Sequence, residues 1–169
     1  MTFLFTGLQC IMKENFPQQI SGYDCLPKAF ESALIAVFGR GYVPLLAVKA
    51  IYKYSMDTEG TSKIATEKIA TKLSEIPEIY IKKLTGRKAS PRGIFDELKM
   101  GHSVVVPTWY EYKDKFYRHA VAAIAIKGKN ICIFDPESSH RIETLQSLRL
   151  RVNKKSFLPI VIGKALLYE

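Results

Sequence analysis

Long apolar runs are missing from this chain of 169 residues. No stretch approaches the ~18 uninterrupted apolar residues that a membrane-spanning helix needs, so no membrane span is expected. The opening "MTFLFTGLQCIM" is apolar but has no basic lead-in and no clear small-residue cleavage site, and it reads as a buried first segment, not a signal peptide. Cysteine is sparse. Cys10, Cys25 and Cys132 are the whole set, an odd number without paired spacing, which argues against a disulfide framework and points to a reducing, cytoplasmic setting. There is no C-x-x-C and no close Cys/His grouping, which removes the usual zinc signatures, so no metal is expected. A G-x-x-x-x-G-K-[ST] phosphate loop is absent as well. Internal repeats, low-complexity tracts and linkers are not seen, so residues 1–169 read as one domain.

What the chain does have is positive charge. It carries 25 basic and 16 acidic side chains, a formal net charge of +9. That balance favours acidic partners. The two dense basic runs, "KKLTGRKASPR" (82–92) and "RLRVNKK" (149–155), are not interleaved with aromatics, so they read as solvated faces and no nucleic acid is expected.

The two halves differ in texture. "DCLPKAFESALIAVFGRG" places Ala29, Phe30, Ala33, Leu34, Val37 and Phe38 at helical spacing, with Asp24 as cap, Pro27 in the first turn and Gly39 or Gly41 as stop. "YVPLLAVKAIYKYSM" continues in that style, and "GTSKIATEKIATKLSEI" opens a third helix with Thr61 or Ser62 as cap. "SPRGIFDELKMG" predicts a short helix with Ser90 as cap, Pro91 in the first position and Gly101 as stop. Elsewhere β-branched and aromatic residues dominate: "EIYIKKLT", "HSVVVPTWYEY", "YRHAVAAIAIK", "NICIFDP" and "FLPIVIGKALLYE" predict strands. "YKDKF" and "KGKN" read as turns, and "SSHRIETLQSL" as a short helix between the last two strands. The expected fold is α+β, with a helical lobe over about residues 1–75 and a mostly antiparallel sheet lobe over about 76–169.

The chemistry centres on "QQISGYDCLPKAF" (18–30). A thiol at a helix N-terminus faces unpaired N–H groups and the positive end of the helix dipole, which lowers its pKa from the ordinary ~8.5. Taken alone, Cys25 reads better as a small buried hydrophobe. A nucleophile needs a base, and the chain offers only His102, His119 and His140. His119 opens the apolar strand "HAVAAIAI", a position suited to a sheet-edge site. His102 reads as a helix-terminus or surface residue, and His140 lies in a polar loop. The base needs an orienting group. Asp135 ends the strand "ICIFD", although Asp-Pro is by itself an ordinary strand terminator. If "KGKN" closes a hairpin whose paired residue numbers sum to 256, His119 and Asp135 share one sheet face as diagonal neighbours roughly 7–8 Å apart. An even sum requires an odd loop, such as Lys127-Gly128-Lys129, or a bulge. An odd sum puts the two on opposite faces and ends the idea. Gln19 is placed to offer its side-chain amide beside the Cys25 N–H as an oxyanion stabiliser, with Gln18 as the neighbouring alternative. Trp109 and Tyr110 read as packing residues that border a groove.

Q-x5-C at a helix start, a histidine opening a strand and Asp-Pro closing the next strand together resemble papain-like cysteine peptidases. The likeness is greatest to the bacteriocin-processing, double-glycine-leader peptidases and their stand-alone relatives. It rests on "QISGYDCLPKAFESAL", "EGTSKIATEKIATKL" and "HAVAAIAIKGKNICIFDPE", which span most of the chain. The resemblance implies a papain-like fold and hydrolysis of a peptide or protein substrate through a thioester. Cys25 would be nucleophile, His119 base and acid, Asp135 the orienting group and Gln19 part of the oxyanion hole, with no metal or organic cofactor. The chain departs from the family at Leu26, where glycine is usual, and a side chain there would crowd the substrate's approach. That departure and the charge motivate two other readings, a non-catalytic binding module on the same fold and an acyltransferase or deamidase using the same residues.

Overall fold

The computed structural model describes residues 25–55, 63–136, 139–151 and 157–166. Five α-helices are placed among them: α1 (Cys25–Phe38), α2 (Leu45–Ser55), α3 (Lys63–Ser74), α4 (Pro91–Lys99) and α5 (Leu145–Arg151). Six strands form a single antiparallel sheet: β1 (Ile79–Lys83), β2 (Ser103–Tyr112), β3 (Lys115–Lys127), β4 (Asn130–Asp135), β5 (Ser139–Glu143) and β6 (Ile160–Lys164), in the order β1-β6-β2-β3-β4-β5.

Local chemistry accounts for most boundaries. Gly39, at φ 85°, ends α1 and donates its N–H to the Ile35 carbonyl. Ser90 Oγ accepts the Gly93 N–H at 3.2 Å and Pro91 opens α4, as the sequence predicts. The proposed caps Asp24, Thr61 and Ser62 lie outside the described residues. The β2–β3 hairpin turns at Lys113-Asp114, both at positive φ, which is the requirement of a type I′ turn.

The sheet is covered on both faces. Against one face, α1, α2 and α3 bring Phe30, Leu34, Ile51, Ile69 and Leu73 onto Val105, Ala120, Ala122, Phe134 and Ile160. Against the other, α4 and α5 bring Ile94, Leu98 and Leu148 onto Val104, Val106, Val121, Ile131, Ile133 and Val161. Burial on both sides explains why "HAVAAIAI" is apolar throughout instead of alternating.

The segment expected as one helix, "SSHRIETLQSL", divides. Its first half is β5, which pairs with the outer edge of β4 from Ile131↔Glu143 to Asp135↔Ser139. Helical propensity yields there to an otherwise open row of strand hydrogen-bonding groups. Only then does α5 begin, with Thr144 Oγ1 accepting the Ser147 N–H at 3.0 Å.

A buried carboxylate ties the far edge of the sheet to α4. Glu97 accepts from Lys82 Nζ at 2.6 Å and contacts His102 Nδ1 at 2.8 Å. Those two partners outweigh burial and hold the Glu97 carboxyl below its ordinary range. The His102 ring lies against Gly163 of β6, where a Cβ would come within 2.5 Å of it. His102 is thus the helix-terminus residue that its place after Gly101 suggests, engaged in structure and remote from the site described next.

Candidate active site

The site forms where the N-terminus of α1 meets one end of the β3–β4 hairpin. The hairpin closes in two residues, Gly128 and Lys129, with Gly128 at φ 61°. A positive φ at the first central position alone matches a type II′ turn. The turn therefore sets an odd register, Lys127↔Asn130 and Ala125↔Cys132, each summing to 257. Continued unchanged, it would have sent His119 and Asp135 to opposite faces. A β-bulge intervenes: the pairing shifts between Ala123 and Ala125, and Ala123↔Ile133 and Ala122↔Phe134 sum to 256. Ile124 is the extra residue, and it and Ala125 both pack toward the α1 side of the sheet. The expected even register is present, but the bulge supplies it and the three-residue loop does not exist.

Beyond Ala122↔Phe134 the strand ladder stops, and side chains make the next link. His119 Nε2 lies 2.6 Å from Asp135 Oδ1, and both residues are buried. Cys25 is the first residue of α1 and is 2% exposed. Its thiol is close enough to influence the His119 imidazole. An imidazole has two nitrogens; with Nε2 committed to Asp135, Nδ1 is the one left for another partner. Burial alone would push the His119 imidazolium toward neutrality. Hydrogen bonds and charge from Asp135 and then Cys25 outweigh it and raise the pKa to about 9. Thr108, fully buried on β2, stands opposite His119 in the β2–β3 register and donates from Oγ1 to the His119 carbonyl at 3.4 Å. That contact was not foreseen, since a threonine in an apolar strand carries no local signal.

Leu26 corrects an expectation. It is 1% exposed and packs in the α1–α3 core, so it does not crowd the approach to Cys25. Cys132 is also a buried free thiol, and burial raises its pKa, which keeps it protonated and unreactive. Gln19 and Cys10 lie outside the described residues. His140 lies on β5 opposite Phe134. Trp109 is half-buried opposite Arg118. Among the described residues, no group of three or more His, Cys, Asp or Glu side chains could hold a metal ion, and no helix is long and apolar enough to cross a membrane.

No protein-family model matches the sequence, and no curated protein does. Solved structures do match. The peptidase domain of Streptococcus ComA, a bifunctional ABC transporter involved in quorum sensing, superposes with a TM-score of 0.58 at 16% identity, over 89% of this chain and 97% of that one. The fold is that of the C39-like peptidases. A protein from Bacillus anthracis described as C39-like superposes with a TM-score of 0.54 at 13% identity, over 92% and 97% of the two chains. The peptidase domain of Streptococcus mutans ComA gives 0.53 at 14%, over 89% and 99%. Each match covers nearly the full length of the solved chain.

Proposed function

We propose that this chain is a cysteine peptidase in which Cys25 is the nucleophile, His119 the general base and acid, and Asp135 the group that orients the imidazole. One observation carries the reading: a buried His119–Asp135 pair at 2.6 Å, whose imidazole is also influenced by the Cys25 thiol at the start of a helix. A helix N-terminus and an imidazolium facing one thiol both favour the thiolate. Its Sγ attacks the scissile carbonyl carbon. The negative charge on oxygen is met by the Cys25 N–H and the Gln19 side-chain amide. The C–N bond then breaks as His119 gives its proton to the leaving amine, leaving a thioester. Water, deprotonated by His119, hydrolyses the thioester to the acid and restores the thiol. Asp135 keeps the imidazole turned toward sulfur and stabilises its charged form throughout. The substrate is a peptide or protein, and the net charge of +9 favours acidic segments in it.

The test is alkylation followed by peptide cleavage. Intact-mass and peptide mapping after iodoacetamide treatment should find Cys25 modified first, with a rate that depends on pH. Cleavage of a mixed peptide library should be abolished in Cys25→Ala. Equal, slow labelling of all three cysteines, or cleavage that survives the substitution, rules the reading out. Product masses distinguish hydrolysis from transfer to an amine, which would use the same residues.

A further inference from the structure

The segment joining α1 to α2 exposes large apolar side chains away from the thiol site. Tyr42 is 82% exposed, Leu45 67% and Leu46 69%, three such residues within five positions of the short 3-10 turn Arg40–Tyr42 and the first turn of α2. Side chains of this size are seldom left so exposed in a cluster without a partner. Cations flank them: Arg40 precedes the group, and Lys49 and Lys53 continue the exposed line along α2 at helical spacing. No aspartate or glutamate occurs between residues 39 and 55. Among the described residues lining the adjoining cleft there is one carboxylate, Glu31, and the Tyr52 hydroxyl holds it.

We infer that this face, Arg40, Tyr42, Leu45, Leu46, Lys49 and Lys53, docks the protein on an anionic lipid surface. A stable protein interface buries on the order of 1,000 Å² and needs a complementary shape. Three projecting side chains on a turn are too few for that. They suit an interfacial membrane contact, in which an aromatic ring and leucines enter the headgroup boundary while cations meet lipid charge. The two leucines lie in the first turn of α2 and the lysines follow one and two turns further along, so the helix would meet the bilayer with its first turn down and its lysines beside the headgroups. A net charge of +9 adds long-range attraction to the same surface.

The experiment is co-sedimentation of the full chain with vesicles of phosphatidylcholine alone and of phosphatidylcholine with about 30 mol % phosphatidylserine, at about 0.05 and 0.5 M salt. Binding to the anionic vesicles only, falling with salt, supports the inference. The pair Leu45→Ser and Leu46→Ser should weaken that binding at least about tenfold, and the pair Lys49→Glu and Lys53→Glu should remove the preference for anionic lipid. All four positions are exposed, and an unchanged circular dichroism spectrum and melting temperature would show each variant is folded. Cys25→Ala should bind as well as the parent, which separates this result from the peptidase assignment. Equal binding to both vesicle types, no binding, or binding that neither pair alters overturns it. So does a dimer, seen by light scattering, that the leucine pair converts to monomer with no change on vesicles, because the face would then serve a second copy of the chain.

Discussion

The His119–Asp135 pair predicts a specific pH dependence of stability. An unperturbed imidazole titrates near 6.5, and the folded protein holds His119 at about 9. The difference, 9 − 6.5, is 2.5 pH units. At about 1.4 kcal/mol each, it corresponds to roughly 3 kcal/mol, a sizeable share of a domain's net stability. Because the folded value is the higher one, the folded state binds the proton more tightly. The stabilisation is therefore complete below about pH 6.5 and is lost as pH rises from there through about 9. Asp135→Asn removes the strongest influence that raises the value. Burial, which lowers it, then dominates, and His119 becomes neutral well below pH 9. Urea unfolding at a series of pH values from 6 to 9.5 is the assay, in a Cys25→Ala background, because a thiolate formed beside the imidazolium on folding releases a proton over the same range and offsets the signal. The Cys25→Ala protein should lose stability across that range by up to about 3 kcal/mol, less the part of the shift that Cys25 itself supplies. Adding Asp135→Asn should weaken it at pH 6.5 by a similar amount, with little further loss on going to alkaline pH. A Cys25→Ala protein whose stability is flat from pH 6.5 to 9, or an Asp135→Asn variant with the same profile, would refute the assignment of a charged, buried pair.

Other outcomes follow from the same geometry. Leu26→Ala should cost about 2–5 kcal/mol in unfolding experiments without accelerating peptide cleavage, because Leu26 fills the core and does not line the approach to Cys25. In Gly163→Ala the new Cβ meets the His102 ring at 2.5 Å, so the ring must shift, and a loss of about 1–3 kcal/mol in thermal unfolding is expected. Time-resolved alkylation should modify Cys25 well before Cys132, whose thiol is buried with a raised pKa, and a compact reagent should outpace a bulky one at the nearly enclosed Cys25. Gln19→Ala should lower kcat about 100-fold if its amide is an oxyanion donor, with Cys25 alkylation unchanged.

Helices were legible where periodicity and caps agreed. "SPRGIFDELKMG" carries its own start and stop, and α4 occupies it with the Ser90–Gly93 bond in place. "SSHRIETLQSL" misled because the vacancy beside β4 that made a strand of its first half belongs to the sheet, not to the local sequence. The candidate site shows the same division. Cys25, His119 and Asp135 could be selected as chemistry-bearing residues at the ends of predicted elements. Whether His119 and Asp135 met depended on one residue of register, and a bulge leaves little trace in a uniformly apolar strand.

Composition and spacing by themselves determined the class of molecule: an α+β domain without zinc or disulfide spacing, carrying excess positive charge and a thiol at a helix start. These are short-range properties, set by side-chain volume, polarity and backbone preference. Tertiary structure alone decided that Ile124 bulges, that the His119 imidazole reaches the Asp135 carboxylate, and that Leu26 turns inward. It also decided that Tyr42, Leu45 and Leu46, apolar like the core residues around them, stay in solvent. Each of those outcomes depends on the face to which a side chain is assigned, and packing between elements distant in sequence makes that assignment.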